Sequence, residues 1–363
     1  MEKSNKILIL VENYPDNNGN VALMYVHTRN LYYAEKGYDV VVLNFRATKG
    51  YCFQGIPVIT INDYKNSKDK YQLLIVHAAN LKHHYRFLKR YEDRFKHILF
   101  FYHGHEVLKI NEVYSKPYDF YRRSKISTIL QNLYDDLKLR IWNRYILKIY
   151  RKSFFVFVSN WMREEFFKWT KIPRNIIEDR TSVTYNCVGK CFETGIYNLN
   201  SDKEYDFITI RNNLNDSKYS IDLVNAWAKN TPEARFLLVG KGNIFEYLNK
   251  ADNIRWLNQT MSHEEIKNML DKSRFALMPT RTDAQGLMMC EMAAYGIPVI
   301  TSDIPVCHEV FDGFENAYFI SNNEDNSLKR YLGIKSKCIK DERFYKKVTL
   351  DNELKIIQSI IEE

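Results

Sequence analysis

Met278-Pro-Thr-Arg-Thr-Asp-Ala-Gln-Gly-Leu-Met-Met-Cys-Glu-Met-Ala-Ala-Tyr-Gly-Ile-Pro-Val-Ile-Thr-Ser302 reads as strand, polar loop, helix and strand in succession. The apolar run 275–278 enters as a strand, the loop turns at Gly286, 287–295 has a helical composition, and Gly296 ends it before a strand over 298–301. A helix that starts at a glycine leaves the N–H groups of Gly286 and Leu287 without intrahelical partners. Such a helix start favours an anion. Asp283 stands in the loop just ahead, and Glu291 about one and a half turns inside the helix, so two carboxylates address one cleft. Glu291, set back from the anion position, suits two hydroxyls such as a ribose diol, and Asp283 suits sugar hydroxyls. The plainer alternative is that Glu291 only tops a solvated helix.

Outward from this segment, the alternation continues on both sides. Strands are expected at 206–211, 235–239, 253–257, 275–278 and 298–301, with helices at 220–229, 262–272 and 287–295 and another between the second and third strands. The first half repeats the pattern: strand 6–11, helix 21–36 ended by Gly37, strand 39–44, then strands at 58–61, 72–77, 97–103, 154–159 and 182–185. Buried apolar strands alternating with helices make parallel sheets covered on both faces. The expected fold class is therefore α/β, with two Rossmann-like, doubly wound parallel-sheet domains facing across a cleft. Domain boundaries are expected at 1–195 and 203–350, with a polar hinge between, and with 351–363 as a C-terminal helix packing back toward the first domain. Ligands of such sheets sit at strand C-termini.

A chain of 363 residues with 45% hydrophobic content, 13 Gly and 8 Pro has the composition of an ordered two-domain protein. Its apolar runs are too short to span a bilayer, and the N-terminal Met-Glu-Lys-Ser-Asn-Lys lacks the apolar core of a signal peptide. A cytoplasmic location is expected, peripheral on the inner membrane face at most. Six scattered cysteines read as reduced thiols; Cys187 and Cys191 lack a second pair, and His103 with His105 lacks a third ligand, so no metal site is expected.

The net charge of +9 hides two unlike halves. Residues 1–190 hold 32 basic and 18 acidic side chains, a net +14, and the remainder carries −5. Within the first half, 116–152 holds ten basic and three acidic residues and 82–96 holds six and two, interleaved with aromatics. Such a surface attracts phosphates, as nucleic acid or as an anionic membrane. Ile126, Leu130, Leu133, Leu137, Ile141, Tyr145 and Ile149 form a helical apolar stripe with Arg140, Arg144, Lys148 and Lys152 beside it. Core packing is the first reading of that stripe and membrane contact the second. No recognition motif supports nucleic acid, which is not expected as a partner.

The first βα turn, 12–20, contains only Gly19 and no three-glycine fingerprint, so a nicotinamide dinucleotide is poorly supported. The P-loop pattern is also absent. Gly19 still lets a ligand approach the backbone, although a plain turn explains it equally well.

The acids Asp283 and Glu291, with seven residues between them and followed by Met-Ala-Ala-Tyr-Gly-Ile-Pro-Val-Ile, resemble the E-x7-E region of retaining nucleotide-sugar glycosyltransferases of family 4. Gly19, Phe101-Tyr-His-Gly-His105, Val158-Ser-Asn160, Tyr185-Asn-Cys-Val188 and Leu238-Val-Gly-Lys-Gly242 agree in order, so the resemblance covers nearly the whole chain. It implies the GT-B fold and transfer of a sugar from a nucleoside-diphosphate sugar. By that resemblance Glu291 binds the ribose, Asp283 contacts the donor sugar, and Arg211 binds the diphosphate with Lys218 as its basic partner. His103 faces the sugar, and Gly19 admits the donor phosphates. Asp283 replaces the commoner Glu, and Lys218 falls one place later than usual.

The catalytic set expected is thus His103, Asp283 and Arg211, and the donor-binding set Gly19, Arg211, Lys218, Gly286, Leu287 and Glu291. No Asp-x-Asp triplet occurs, so neither metal nor cofactor is expected beyond the donor itself. A retaining front-face transfer to a saccharide or lipid-linked saccharide follows by family analogy, in bacterial cell-surface polysaccharide synthesis, with the basic half against an anionic membrane surface. A nucleotide-sugar epimerase of the same fold and a catalytically silent nucleotide- or membrane-binding scaffold are the alternatives.

Overall fold

The computed structural model describes residues 5–121 and 124–363; Arg122 and Arg123 of the basic stretch, and residues 1–4, lie outside the described residues. The chain divides into two compact units, one of Met1–Lys109, Leu133–Asn186 and Thr349–Glu363, the other of Ile110–Asn132 and Cys187–Val348.

The first unit is built on an eight-stranded sheet. Its strands are β1 (Lys6–Val11), β2 (Asp39–Asn44), β3 (Tyr51–Phe53), β4 (Ile56–Ile59), β5 (Leu73–His77), β6 (His97–Tyr102), β7 (Ser153–Phe157) and β8 (Thr181–Val183). They lie in the order β3-β4-β2-β1-β5-β6-β7-β8, parallel throughout except for the β3–β4 hairpin. Central strands β5 and β6 are buried at every position, which is why Leu73-Leu-Ile-Val-His77 and His97-Ile-Leu-Phe-Phe-Tyr102 read as continuous rather than alternating apolar runs. The hairpin strand β3 escapes the sequence pattern because two of its three residues are only half-buried and Cys52 is exposed. The first helix begins at Met24, not at residue 21, behind Leu23 in a left-handed conformation.

The C-terminal helix Lys346–Glu362 contributes Ile357 and Ile360 to this unit's core. Arg29 Nε donates to Glu353 Oε2 at 3.0 Å with both side chains fully buried, and the Tyr33 hydroxyl also donates to Glu353. Tyr32 donates to Asp351 at 2.6 Å.

The second unit carries β9 (Tyr205–Asn213), β10 (Phe236–Lys241), β11 (Ile254–Leu257), β12 (Ser273–Met278), β13 (Val299–Ser302) and β14 (Ala317–Ile320). The order β11-β10-β9-β12-β13-β14 is wholly parallel. Where the sequence suggested a helix between β10 and β11 there is only a single 3-10 turn, Ile244–Glu246, because Gly242 and the polar 249–253 segment leave too few residues for a stable helix. Strand β14 and the short helix Pro305–Val310 were not foreseen.

The segment Ile110–Asn132 groups with this second unit, whereas the expected boundaries placed it with all of 1–195. Side chains tie it there: Tyr118 donates to Asp222 at 2.9 Å, Phe120 stacks on Tyr247 at 4.3 Å, and the hydroxyls of Ser115 and Ser217 lie 2.9 Å apart. Such tertiary contacts carry no local periodicity, so the sequence did not mark them.

The stripe on the helix Lys125–Ile149 also departs from the first reading. Ile126, Leu130, Leu133 and Leu137 are exposed, whereas Tyr145 and Ile149 are buried. At about 100° per residue, each four-residue step advances the stripe by about 40°, so it spirals from the solvent side to the core side. No helix among the described residues is long and apolar enough to cross a membrane.

Candidate functional site

The C-terminal ends of β9 and β12 bring four charged or aromatic side chains together. Arg211 emerges near the end of β9 and is buried, its Nη2 donating to the Pro279 carbonyl at 2.9 Å while Nε has no hydrogen-bond partner among the described residues. Burial lowers its pKa, partly offset by Tyr219 and Asp283. The guanidinium lies over the Tyr219 ring at 4.8 Å. Lys218 Nζ sits 5.3 Å from the same ring and 3.4 Å from Asp283 Oδ2. A buried cation with one unused donor, beside a second cation that has only one carboxylate, is a site short of negative charge.

The loop that supplies Lys218 is held from two sides. Its carbonyl accepts from Arg281 N at 2.8 Å and from Thr280 Oγ1 at 3.1 Å. Arg281 then forks onto Asp222, with Nη1 and Nη2 at 2.9 and 2.6 Å from the two carboxylate oxygens. The planar guanidinium matches the carboxylate in a way no lysine could. Thr280 N donates to Ser302 Oγ at 2.9 Å, which donates to Asn322 at 2.7 Å, fixing the start of the 280–286 loop to β13. Asp222, Thr280 and Arg281 were not singled out in the sequence; Arg281 lies inside the quoted segment, but its partner is 59 residues away.

That loop ends at Gly286, whose φ of 75° requires the left-handed region, and the helix Leu287–Tyr295 follows without a side-chain cap. A Cβ at Gly286 would meet Met289 Cε at 2.5 Å. With no capping side chain, the first amides of this helix stay available to an anion. Gly296 closes the helix at φ 103°, as its position predicted.

Among the described residues no hydrogen bond or ion pair joins Glu291 to Arg211. Its carboxylate faces Gly189, where a Cβ would stand 3.7 Å from Oε1 and 3.5 Å from His263 Cε1. Burial pushes its pKa up to about 7, against a smaller lowering by the Gly189 backbone hydrogen bond. Gly189, His263 and the neighbouring Phe192, whose ring is 5.3 Å from His263, surround the acid and were not anticipated. The only signal that could have found Gly189 is its glycine identity just after the expected first domain's last strand.

In the first unit, His103 follows β6. Its Nε2 lies 3.0 Å from His77 Nδ1, its ring packs 4.7 Å from Tyr25, and Nδ1 has no partner among the described residues. Burial, then the neighbouring Arg29 guanidinium and the His105 ring, hold its pKa well below the ordinary value, so the imidazole is neutral. Glu106 accepts from the amides of His103 at 3.0 Å and Gly104 at 2.7 Å, which sets the loop. Lys138, buried, donates to the carbonyls of His105 and Leu108 at 3.2 and 2.9 Å and completes it. Gly19 has φ 95° and no atom within 4 Å of a Cβ position, so the turn demands glycine and leaves open space above it. Among the described residues no group of three or more His, Cys, Asp or Glu is placed to hold a metal ion.

Two parallel sheets with their functional side chains at strand C-termini, one of them ending in a basic loop and an uncapped helix start, form two Rossmann-like units of the GT-B kind. Residues 194–348 match the model of the family described as Glycosyl transferases group 1. No curated protein sequence matches the chain significantly. Among solved structures, a glycosyltransferase from Rickettsia africae is similar with a TM-score of 0.65 and 16% identity, covering 99% of both chains. HepE of Anabaena, in complex with UDP and glucose, has a TM-score of 0.59 and 12% identity, covering 98% of this chain and 97% of that one. The lipopolysaccharide outer core galactosyltransferase WaaB has a TM-score of 0.62 and 14% identity, covering 98% of this chain and 99% of that one. The structural likenesses carry the fold, and the match to group 1 glycosyl transferases is confined to residues 194–348.

Proposed function

We propose that this chain moves a sugar from a nucleoside-diphosphate sugar to a saccharide or lipid-linked saccharide acceptor, with retention at the anomeric carbon, in the building of a bacterial surface polysaccharide. The observation that carries this reading is the buried, under-satisfied Arg211 beside Lys218, Asp283 and an uncapped helix start, inside the stretch that matches group 1 glycosyl transferases. The neighbour solved with UDP and glucose supports a donor of that chemical class.

In this mechanism the bond from the anomeric carbon to the diphosphate breaks and a bond from the acceptor oxygen forms on the same face. The acceptor's proton passes to the departing phosphate oxygen. Negative charge grows on that phosphate, and Arg211, Lys218 and the amides of Gly286 and Leu287 are the groups that hold it. A fixed donor of this kind is worth ~10²-fold to 10³-fold in rate. These cations and amides serve in place of a metal ion, so transfer should persist in a chelator. Glu291 takes the ribose hydroxyls, Asp283 the sugar hydroxyls, His103 the donor sugar as a neutral hydrogen-bonding ring, and Gly19 the approach of the phosphates.

The test is a panel of nucleotide sugars screened by thermal shift, followed by product analysis with the donor that binds. Transfer, with Glu291→Ala abolishing nucleotide binding, is the expected result. Binding that survives Glu291→Ala removes the site assignment. Release of isomerised donor or free sugar without an acceptor would indicate the epimerase, and binding without turnover the silent scaffold.

A further inference from the structure

Strand β5 delivers His77 beside the end of β6. The two strands are parallel, and their register sets His77 against Phe101, two residues before His103. The His77 ring is fully buried, stacked on Phe101 at 4.7 Å and on His103 at 5.3 Å. Its Nδ1 lies 3.0 Å from His103 Nε2, and its Nε2 has no hydrogen-bond partner among the described residues. An apolar ring would pack here without leaving a polar atom unpaired, so a histidine whose other nitrogen is committed to a second histidine calls for a reason.

A hydrogen bond between two ring nitrogens forms only when one of them carries a proton and the other does not. Both rings are neutral. Burial holds the pKa of each well below the ordinary value; His103, Arg29 and His84 lower that of His77 further, as Arg29 and His105 do for His103. A neutral imidazole has a single N–H, so the two tautomers are coupled. If His77 Nδ1 donates, His103 Nε2 accepts and the proton of His103 sits on Nδ1. If His103 Nε2 donates, its Nδ1 is bare and the proton of His77 is stranded on Nε2. The second arrangement leaves an orphaned N–H on the fully buried ring, where nothing can reach it, and orphaned buried N–H groups are the rarer kind. The first leaves only a lone pair there. It moves the spare N–H to Nδ1 of His103, the half-buried ring at a strand C-terminus, where a ligand oxygen accounts for an unpaired nitrogen.

We propose that His77 is a positioning residue for His103: its Nδ1–H donates to His103 Nε2, fixes the tautomer and orientation of that ring, and leaves His103 Nδ1–H as the donor offered to an oxygen of the transferred sugar. A carboxylate in the place of His77 would also fix the ring, but its charge would draw His103 toward imidazolium. A second imidazole supplies the hydrogen bond without the charge. Arg29, on the helix Met24–Glu35, adds to this by disfavouring a positive charge on either ring. The Tyr25 ring, 4.7 Å from His103, and the Glu106 carboxylate, which accepts from its amide at 3.0 Å, hold the residue from other elements. The sugar as ligand rests on the proposed transfer; the tautomer does not.

The experiment is long-range proton–nitrogen NMR on the full chain with isotope-labelled histidine rings near neutral pH, using His77→Phe and His103→Phe to assign the two signals. Both rings should be single tautomers protonated at Nδ1. His77→Phe keeps the stacking on Phe101 but removes the donor, so His103 should become a mixture of tautomers. His77→Asn, whose side-chain amide stands near the place of Nδ1, should restore the single form. In a transfer assay, His77→Phe should lower kcat roughly 10- to 100-fold while KM for the nucleotide sugar stays within about threefold, and His77→Asn should recover most of the loss. The proposal is overturned if the parent protein shows His103 protonated at Nε2 or as a mixture, whether or not any variant folds. It is overturned equally if His77→Phe leaves the His103 tautomer unchanged while kcat falls, since packing alone would then explain the loss, or if kcat is unchanged although the tautomer is lost. Tautomers that behave as expected in a chain that transfers no sugar would uphold the positioning role and remove the transferase reading instead.

Discussion

Lys218 Nζ and Asp283 Oδ2 stand 3.4 Å apart, so the second cation of the basic loop is partly neutralised by the acid expected to contact the sugar. A carboxylate at this place opposes a phosphate unless its charge is shared. Asp283→Asn should therefore tighten binding of a bare nucleoside diphosphate by roughly two- to fivefold, the scale of a partly exposed ion pair. Transfer should fall at the same time, because the sugar loses an ionic acceptor for its hydroxyls. Calorimetry with UDP and GDP, beside a turnover assay, checks both directions. Unchanged turnover would take Asp283 out of the catalytic set.

Arg211 offers the larger effect. Its Nη2 is engaged by the Pro279 carbonyl and its Nε is not, so the guanidinium is anchored at one edge and unsatisfied at another. Arg211→Met keeps the buried stem while removing the charge. The dissociation constant for a nucleoside diphosphate should rise about 10- to 100-fold, as expected for one charge-assisted hydrogen bond. An unchanged constant would remove Arg211 from the diphosphate site.

The Glu291 carboxyl, pushed up to about 7 by burial, makes donor binding depend on pH. Two ribose hydroxyls need an ionised acceptor. Affinity for a nucleotide sugar, whose diphosphate has no titration in this range, should rise as pH increases from one unit below to one unit above about 7. Folding stability should move the other way. The folded-state value exceeds the ordinary 4.5, so this group's contribution is full below 4.5 and is lost as pH rises through about 7. Glu291→Gln should flatten both profiles, read by calorimetry and by urea midpoints across that window.

Much of this arrangement was legible from local pattern. The helix Leu287–Tyr295 and strands β1 and β2 lie where glycine punctuation and continuous apolar runs placed them. Asp283 and Glu291 stood out because they share one short loop-and-helix segment, whereas Arg211 and Lys218 were indicated only by the family resemblance. What escaped depends on partners distant in sequence. The Arg281–Asp222 fork spans 59 residues, and Gly189 meets Glu291 across about a hundred. The segment Ile110–Asn132 joins the second unit through Tyr118 and Phe120, whose own neighbourhood reads as part of the first half. The stripe from Ile126 to Ile149 was read as one face because spacings of three and four look periodic, although the run of four-residue steps from Leu133 onward drifts by about 40° at each step.

Glu353 tests the role of the C-terminal helix in holding the first unit. It is fully buried, receives Arg29 and Tyr33, and brings Ile357 and Ile360 into the core beside it. Burial raises its pKa despite the guanidinium, which signals that the pair bears a desolvation cost of its own. Removing one partner leaves the other charge buried alone. Glu353→Ala should therefore cost about 3–5 kcal/mol, whereas Arg29→Met combined with Glu353→Leu should recover most of the loss. The urea midpoints of Arg29→Met, Glu353→Leu and the double variant give the coupling directly. If the double variant is as unstable as the sum of the singles, the ion pair is not what fixes the helix, and packing of Ile357 and Ile360 alone must hold it.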